Sequence, residues 1–377
     1  MKKFFVVTLI AIVVLVLVAG VSIFIFIRTS PQFGGTASEE KIAAYAKSGH
    51  YRSGIFMNEI PTNMDMSLGQ GLSVMKDFIV GVPNQAPEKS LPVLQVHPSD
   101  LQAQADSIVR VTWFGHSAFW VEIDGLNLLI DPMFGPVPSP VSFLGKKRFS
   151  DGLPIEIADL PQIDAVVFSH DHYDHLDYES VVKLKDKVGK FYTPLGVGAH
   201  LQEWGVSEEN IHELNWWDEI NHGSLTLVCT PARHFSGRGL GDRFSTFWSS
   251  WIIKGENKSI YFSGDSGYGS HFKEIGEKYG PFDFAMMECG QYNERWSNIH
   301  MMPEETAQAA VDVQANLMMP IHWGSFVLAL HTWDDPVRRV TAKANDLGQA
   351  VIVPQIGEQI VLHDPTPKKP NWWQSLK

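Results

Sequence analysis

Apolar and polar positions follow three regimes along this chain. The first is unbroken: Phe4 to Ile27 contains no ionisable residue, and only Thr8 and Ser22 carry polar side-chain groups. As a helix, such a run crosses a hydrocarbon core of roughly 30 Å. It is longer than the apolar core of a cleaved leader, and Val18-Ala19-Gly20 is a poor cleavage site. The pattern predicts an uncleaved transmembrane anchor over 1–30. Lys2, Lys3 and the amino terminus outweigh Arg28 on the other flank, which puts the N-terminus in the cytoplasm and the rest of the chain on the extracytoplasmic side.

The second regime, 31–106, is rich in Gly, Pro, Ser and Asn with broken helical pieces, and reads as a tether and arm lying on a main domain. The third, 107–365, is a succession of short apolar runs. Strands are expected at 107–114, 118–123 and 126–130, the last two joined by the hairpin signal Asp124-Gly125. Further strands are expected at 165–168, 211–214, 225–230, 251–254, 259–263, 284–288, 317–321, 351–353 and 359–362. Helical spacing appears at 176–188 and 270–279, with two more helices opened by Pro303 and near Pro336. Hairpins followed by strands alternating with helices predict an α/β architecture of two packed sheets with helices outside, a four-layer αββα sandwich. Residues 366–377 form a C-terminal tail.

Composition narrows the function. With 44% hydrophobic and 19% charged residues among 377, the chain can bury a large core. A net charge of −12 argues against a nucleic-acid partner, which would need a basic face. Two cysteines, Cys229 and Cys289, build neither a disulfide framework nor a cysteine metal knuckle; both read as small buried apolar groups.

The chemistry concentrates directly after the strand near 168. Ser169 to Asp177 reads Ser-His-Asp-His-Tyr-Asp-His-Leu-Asp, three imidazoles and several carboxylates in nine residues. Neutral imidazole and carboxylate suit borderline metals such as zinc. His170 and His172, two apart in an extended loop, can face one side, with Asp174 and His175 following, so one cluster can serve two neighbouring ions. Such a pair needs further ligands. Candidates end other apolar runs: His234 after Thr230-Pro-Ala-Arg, Asp265 between the glycines of Ser-Gly-Asp-Ser-Gly, and His322 in Pro-Ile-His-Trp-Gly.

This set resembles the metallo-β-lactamase superfamily. Val111-Thr-Trp-Phe-Gly-His116, Ile130-Asp-Pro-Met-Phe134, Lys147-Arg-Phe149, Asp177-Tyr178, Trp216-Trp217, Gly264-Asp-Ser-Gly-Tyr268, Gly280-Pro-Phe-Asp283 and His322-Trp-Gly-Ser-Phe326 are similar to the N-acyl-phosphatidylethanolamine-hydrolysing phospholipase D branch, over about Val111 to His363. The resemblance implies two Zn2+ per chain: His170, His172 and His234 on one, Asp174, His175 and His322 on the other, and Asp265 shared. It implies catalytic roles for Asp174, which orients the nucleophile or takes its proton, for Asp265, and for His300, which contacts phosphate or leaving group. His116 and Asp131 either orient ligand imidazoles or form a buried polar pair that satisfies backbone. The implied reaction is in-line attack on a phosphodiester by a water that the two ions activate, with no covalent protein intermediate.

Two departures bear on the substrate. Asp171 stands where the eukaryotic phospholipases tend to carry asparagine, adding negative charge beside the metals, and the glycine-rich 234–242 suggests a wider or more mobile loop. Arg148, Arg233, Arg238 and Arg295 read as solvated or ion-paired surface groups. His50, His97, His200, His212, His222, His271, His331 and His363 match no ligand context. Trp372 and Trp373 suit either a membrane interface or a second subunit of a homodimer. The favoured partner is a phospholipid in a membrane. Hydrolysis of a lactone or other ester with the same metals, and a non-enzymatic membrane-bound metal module, are the competing readings.

Overall fold

The computed structural model describes residues 1–102, 108–143 and 145–376, so the expected boundary at 106–107 lies outside the described residues. Helix α1 (Lys2–Thr29) is long and apolar enough to cross a membrane, and its span is not covered by the rest of the chain. The arm follows, with α2 (Glu39–Tyr45), a ribbon of β1 (Tyr51–Arg52) and β2 (Ile55–Phe56), and α3 (Leu68–Val80). Ser67 caps α3 through a reciprocal bond with Gln70. Tyr45 and Phe56 are buried in the main core, so the arm is packed on the body.

Two sheets make the body. The seven-stranded sheet contains β3 (Arg110–Gly115), β4 (Ala118–Ile123), β5 (Leu126–Ile130), β6 (Ile163–Val167), β7 (Val188–Pro194), β8 (Ile211–Leu214) and, at its other edge beside β3, β15 (Gln359–Val361). The six-stranded sheet runs in the order β14 (Met318–Ile321), β13 (Phe284–Glu288), β12 (Ser259–Phe262), β11 (Ser250–Lys254), β10 (Leu225–Thr230) and β9 (Glu219–His222). Helices α4 (Tyr178–Leu184) and α5 (Gly198–Glu203) accompany the first sheet, and α6 (His271–Tyr279), α7 (Pro303–Asp312) and α8 (Asp335–Leu347) the second.

Alternation of side chains explains the layering. Val111, Trp113, Phe119, Val121, Leu128 and Ile130 join the core shared with the six-stranded sheet. Their neighbours Phe114, Trp120 and Leu129 point the other way, into a second core with Val181, Leu184 and Leu201 of α4 and α5. Strands covered on both faces read as continuous apolar runs. The αββα expectation therefore holds.

Some local expectations do not. The helix expected over 176–188 stops at Leu184, and Val188–Pro194 is strand β7, next to the sheet edge, which pairs with β6 and β8. Its Gly189 passes so near β6 that a Cβ there would sit 2.8 Å from the Asp164 carbonyl oxygen. The strand expected at 351–353 shrinks to one bridge between Met318 and Val351. Trp372 and Trp373 face neither membrane nor subunit: both are buried, Trp372 Nε1 donating to the Pro354 carbonyl at 3.0 Å.

Candidate metal centre

The cluster is gathered from strand C-termini and the loops that follow them, so one edge of the sandwich collects it. His116 follows β3, Asp131 follows β5, His170 follows β6, His234 follows β10, Asp265 follows β12, and His322 follows β14. Three of these non-glycine residues hold positive φ: His116 at 55°, Asp131 at 39° and His322 at 66°. Such backbone strain persists where surrounding structure over-determines it, characteristically at functional sites.

Among the described residues three overlapping groups form at this edge, each with ligand-type atoms within 4.8 Å of one another: His170, His172, His234 and Asp265; His116, Asp174, His175 and His322; and Asp265, His300 and His322. Asp265 lies between the first two. Its Oδ2 is 3.1 Å from His175 Nε2, 3.7 Å from His170 Nε2 and 3.8 Å from His234 Nε2, while Oδ1 is 3.2 Å from His322 Nδ1. In the first group His172 Nδ1 lies 3.0 Å from His170 Nε2 and 3.2 Å from His234 Nε2.

The electrostatics put these groups, His175 excepted, in the states a cation needs. Burial holds His170, His234 and His322 well below the usual imidazole value and lowers His172, leaving neutral nitrogens with lone pairs. Burial opposes ionisation of Asp174 and Asp265, yet the adjacent imidazoles, His175 first, hold both well below the carboxylate range. Burial also opposes charge on His175, but Asp265, Asp174 and Asp131 outweigh it and raise it well above its usual value. Among the described residues, Asp265 Oδ1 and His322 Nε2 are buried without hydrogen-bond partners. Converging lone pairs, a surplus of carboxylate and unpartnered buried acceptors fit bound metal.

Surrounding groups fix the rings. Asp131 accepts from Ser169 N at 2.7 Å, from Ser169 Oγ at 2.5 Å and from His175 Nδ1 at 2.7 Å. The two readings offered for Asp131 thus coexist, since it satisfies backbone and orients an imidazole. His116 behaves otherwise. Its Nε2 is 2.9 Å from Asp174 Oδ2, so it braces a carboxylate rather than an imidazole and lies close enough to count among the ligand-type groups. His234 Nδ1 is fixed by the Ile299 carbonyl oxygen at 2.9 Å.

Asp171 turns out differently. Its carboxylate is engaged by Gly237 N at 2.9 Å, Thr246 Oγ1 at 2.8 Å and His200 at 3.4 Å. His200, read as ordinary, is therefore part of the brace behind the metal loop. The loop expected to be wide is cross-tied, with Asp242 accepting from Arg238 N and Gly239 N. Of the arginines read as surface groups, Arg238 is buried, while Arg148 and Arg233 are half-buried and, like Arg238, donate to backbone carbonyls.

His300 stands at the pocket wall, its Nδ1 2.9 Å from Glu288 Oε1. Burial pushes Glu288 up to about 8, and the pair together holds a proton in the neutral range. Sequence reasoning missed Glu288, although it ends an apolar run just as Asp265 does. It also missed Ser117, whose Oγ lies 3.2 Å from His322 Nδ1. The pocket itself encloses about 390 Å³; His172, Asp174, Asp265, His300 and His322 meet an apolar wall there that includes Val74 and Phe78 of α3.

The β-lactamase superfamily domain matches residues 126–323 of this chain. An uncharacterized protein of Mycobacterium tuberculosis is 39% identical over 362 residues, 95% of this chain and 96% of that one. N-acyl-phosphatidylethanolamine-hydrolyzing phospholipase D 1 of Caenorhabditis elegans is 35% identical over 251 residues, 63% of this chain and 70% of its own. Among solved structures, the isothiocyanate hydrolase from Delia radicum gut bacteria superposes with a TM-score of 0.54 at 22% identity, over 67% of this chain and 98% of its own, which establishes the shared fold. The chain belongs to the metallo-β-lactamase superfamily, and is one of its metal-dependent hydrolases.

Proposed function

We propose that this chain is a membrane-anchored dinuclear zinc hydrolase that cleaves a phospholipid phosphodiester, N-acyl-phosphatidylethanolamine being the favoured substrate. In this reading 1–30 is the anchor, 31–106 the tether and arm, 107–365 the hydrolase domain and 366–377 the tail. The observation that carries it is the pocket: two groups of metal-ligand type open onto an apolar wall that also presents Arg243 and Arg295. An amphiphile with an anionic diester matches that combination. The relative from Caenorhabditis elegans, named for N-acyl-phosphatidylethanolamine hydrolysis, supports the substrate class.

His170, His172 and His234 would hold one zinc, Asp174, His175 and His322 the other, with Asp265 serving both. The pair supplies Lewis acidity toward water and toward phosphoryl oxygens. The protein does the rest. Asp174 lines the pocket and accepts a proton or orients the attacking water. His300, whose hold on a proton Glu288 strengthens, donates to a phosphoryl or leaving oxygen. Met64, Phe235 and Leu328 exclude water around the diester.

Incubating the full chain with N-acyl-phosphatidylethanolamine vesicles tests this. Phosphatidic acid and N-acylethanolamine are the expected products, and Asp265→Ala should lose both turnover and bound metal. Turnover of an acyl lactone without the diester would transfer the site to ester hydrolysis. Zinc retained with neither activity would leave a metal-binding module.

A further inference from the structure

The outer face of α3 has no role in the reading above. Leu68, Leu72, Met75 and Ile79 are 82%, 52%, 54% and 79% exposed, and they recur at the three- and four-residue spacing of one helical face. The inner face is occupied. Val74 and Phe78 line the metal pocket, Phe78 stacks on Trp296 with ring centroids 6.2 Å apart, and Asp77 pairs with Arg295 at 2.8 Å. The helix is therefore held in place by one side while it presents an apolar stripe outward at the pocket mouth.

The end of α1 is fixed to the same region. Pro31 and Gln32 directly follow the anchor, and their carbonyl oxygens accept from Trp204 Nε1 at 2.6 Å and from Arg238 Nη2 at 2.8 Å. Phe33 packs edge-on against Tyr173 of the metal loop at 6.5 Å. Arg238 opens a short loop whose far end, Arg243, lines the pocket and reaches Met64, just ahead of α3. Five residues extend at most about 18 Å, so the anchor's exit and the pocket rim are near neighbours. Leu240, between those two arginines, is also exposed.

We propose that α3 is an interfacial helix whose Leu68, Leu72, Met75 and Ile79 stripe lies in the lipid surface of the bilayer that α1 spans, with the metal pocket opening directly onto that surface. The inference rests on reading α1 as a membrane anchor, and not on the identity of the diester. A rigid juxtamembrane attachment leaves the body little freedom to turn the rim away from the lipid, and burying the stripe there removes apolar area from water.

Nitroxide labels test it. Cys229 and Cys289 are buried, so single Leu72→Cys, Met75→Cys and Ile79→Cys variants of the full chain can be labelled selectively. Glu277→Cys, near the far end of α6 from the metal edge, is the control. In phosphatidylcholine and phosphatidylglycerol vesicles, the α3 labels should relax more with oxygen, which concentrates in lipid, than with chromium oxalate, which stays in water; the control should show the reverse. Chromium oxalate access at α3 equal to the control, on chains that remain vesicle-bound, overturns the docking of α3 and leaves the anchor intact. Strong dipolar coupling between α3 labels of two chains would assign the stripe to a second copy and overturn it too. Release of the chain from vesicles overturns the anchor reading and the docking together.

Discussion

Asp131 Oδ2 lies 2.7 Å from Nδ1 of His175, on a strand end where Asp131 itself holds a φ of 39°. The contact favours a proton on Nδ1 and points Nε2 toward Asp174 and Asp265. Replacing Asp131 with asparagine keeps the shape but permits the amide to donate, which favours the wrong tautomer. Metal affinity should fall by roughly 10–100-fold, the usual effect of removing a group that orients a ligand histidine. Competition with a chromophoric chelator measures it, and unchanged affinity would show that Asp131 serves only Ser169.

The Glu288 and His300 pair predicts a pH effect. Burial lowers charge on His300, but the hydrogen bond and charge of Glu288 outweigh it and raise its pKa above the usual imidazole value. The protonated donor is therefore present below that raised pKa and lost as pH rises through it. Glu288→Gln should move the alkaline limb of the kcat profile to lower pH. His300→Ala should lower kcat by roughly 100-fold or more, the common scale for a lost proton donor. An unmoved alkaline limb in Glu288→Gln would detach this pair from the chemistry.

The strand ends were legible in the sequence because each couples an abrupt apolar-to-polar change with a residue of metal-ligand type, as at His170, Asp265 and His322. The β7 strand was not, since the helical spacing after Leu176 runs on into Val188 and only packing against β6 and β8 decides the matter. Glu288 escaped because a single carboxylate at a strand end carries no sign of its partner, His300, twelve positions away. The burial of Trp372 and Trp373 was hidden for the same reason: Pro354 and Trp323, which receive Trp372, are distant in sequence.

Gly264 sets the position of Asp265. Its φ is 55°, and an added Cβ would lie 2.5 Å from the Ser249 carbonyl oxygen and 3.0 Å from Ser169 Cβ. Gly264→Ala meets a left-handed backbone cost of about 1–2 kcal/mol together with a collision against backbone that cannot yield. The expected outcome is a lower Tm and substoichiometric metal by elemental analysis. Full metal content with wild-type Tm would mean that this turn is not the constraint inferred from its geometry.

His271 offers a test of stability outside the ligand set. It is buried at the start of α6, with Nε2 3.1 Å from Ser266 Oγ, and burial, aided by Arg233, lowers its pKa to about 3. In the unfolded chain the same ring takes up a proton near pH 6.5. Between those values the unfolded state binds the extra proton, so stability rises with pH across that window and the contribution is flat above it. The slope from this one ring approaches about 1.4 kcal/mol per pH unit at most. His271→Gln, which keeps a partner for Ser266 but cannot titrate, should be less stable than wild type at neutral pH and should lose less stability on acidification to pH 5. Urea midpoints at pH 7 and pH 5 measure the difference, and parallel losses in the two proteins would show that His271 does not remain neutral in the folded chain.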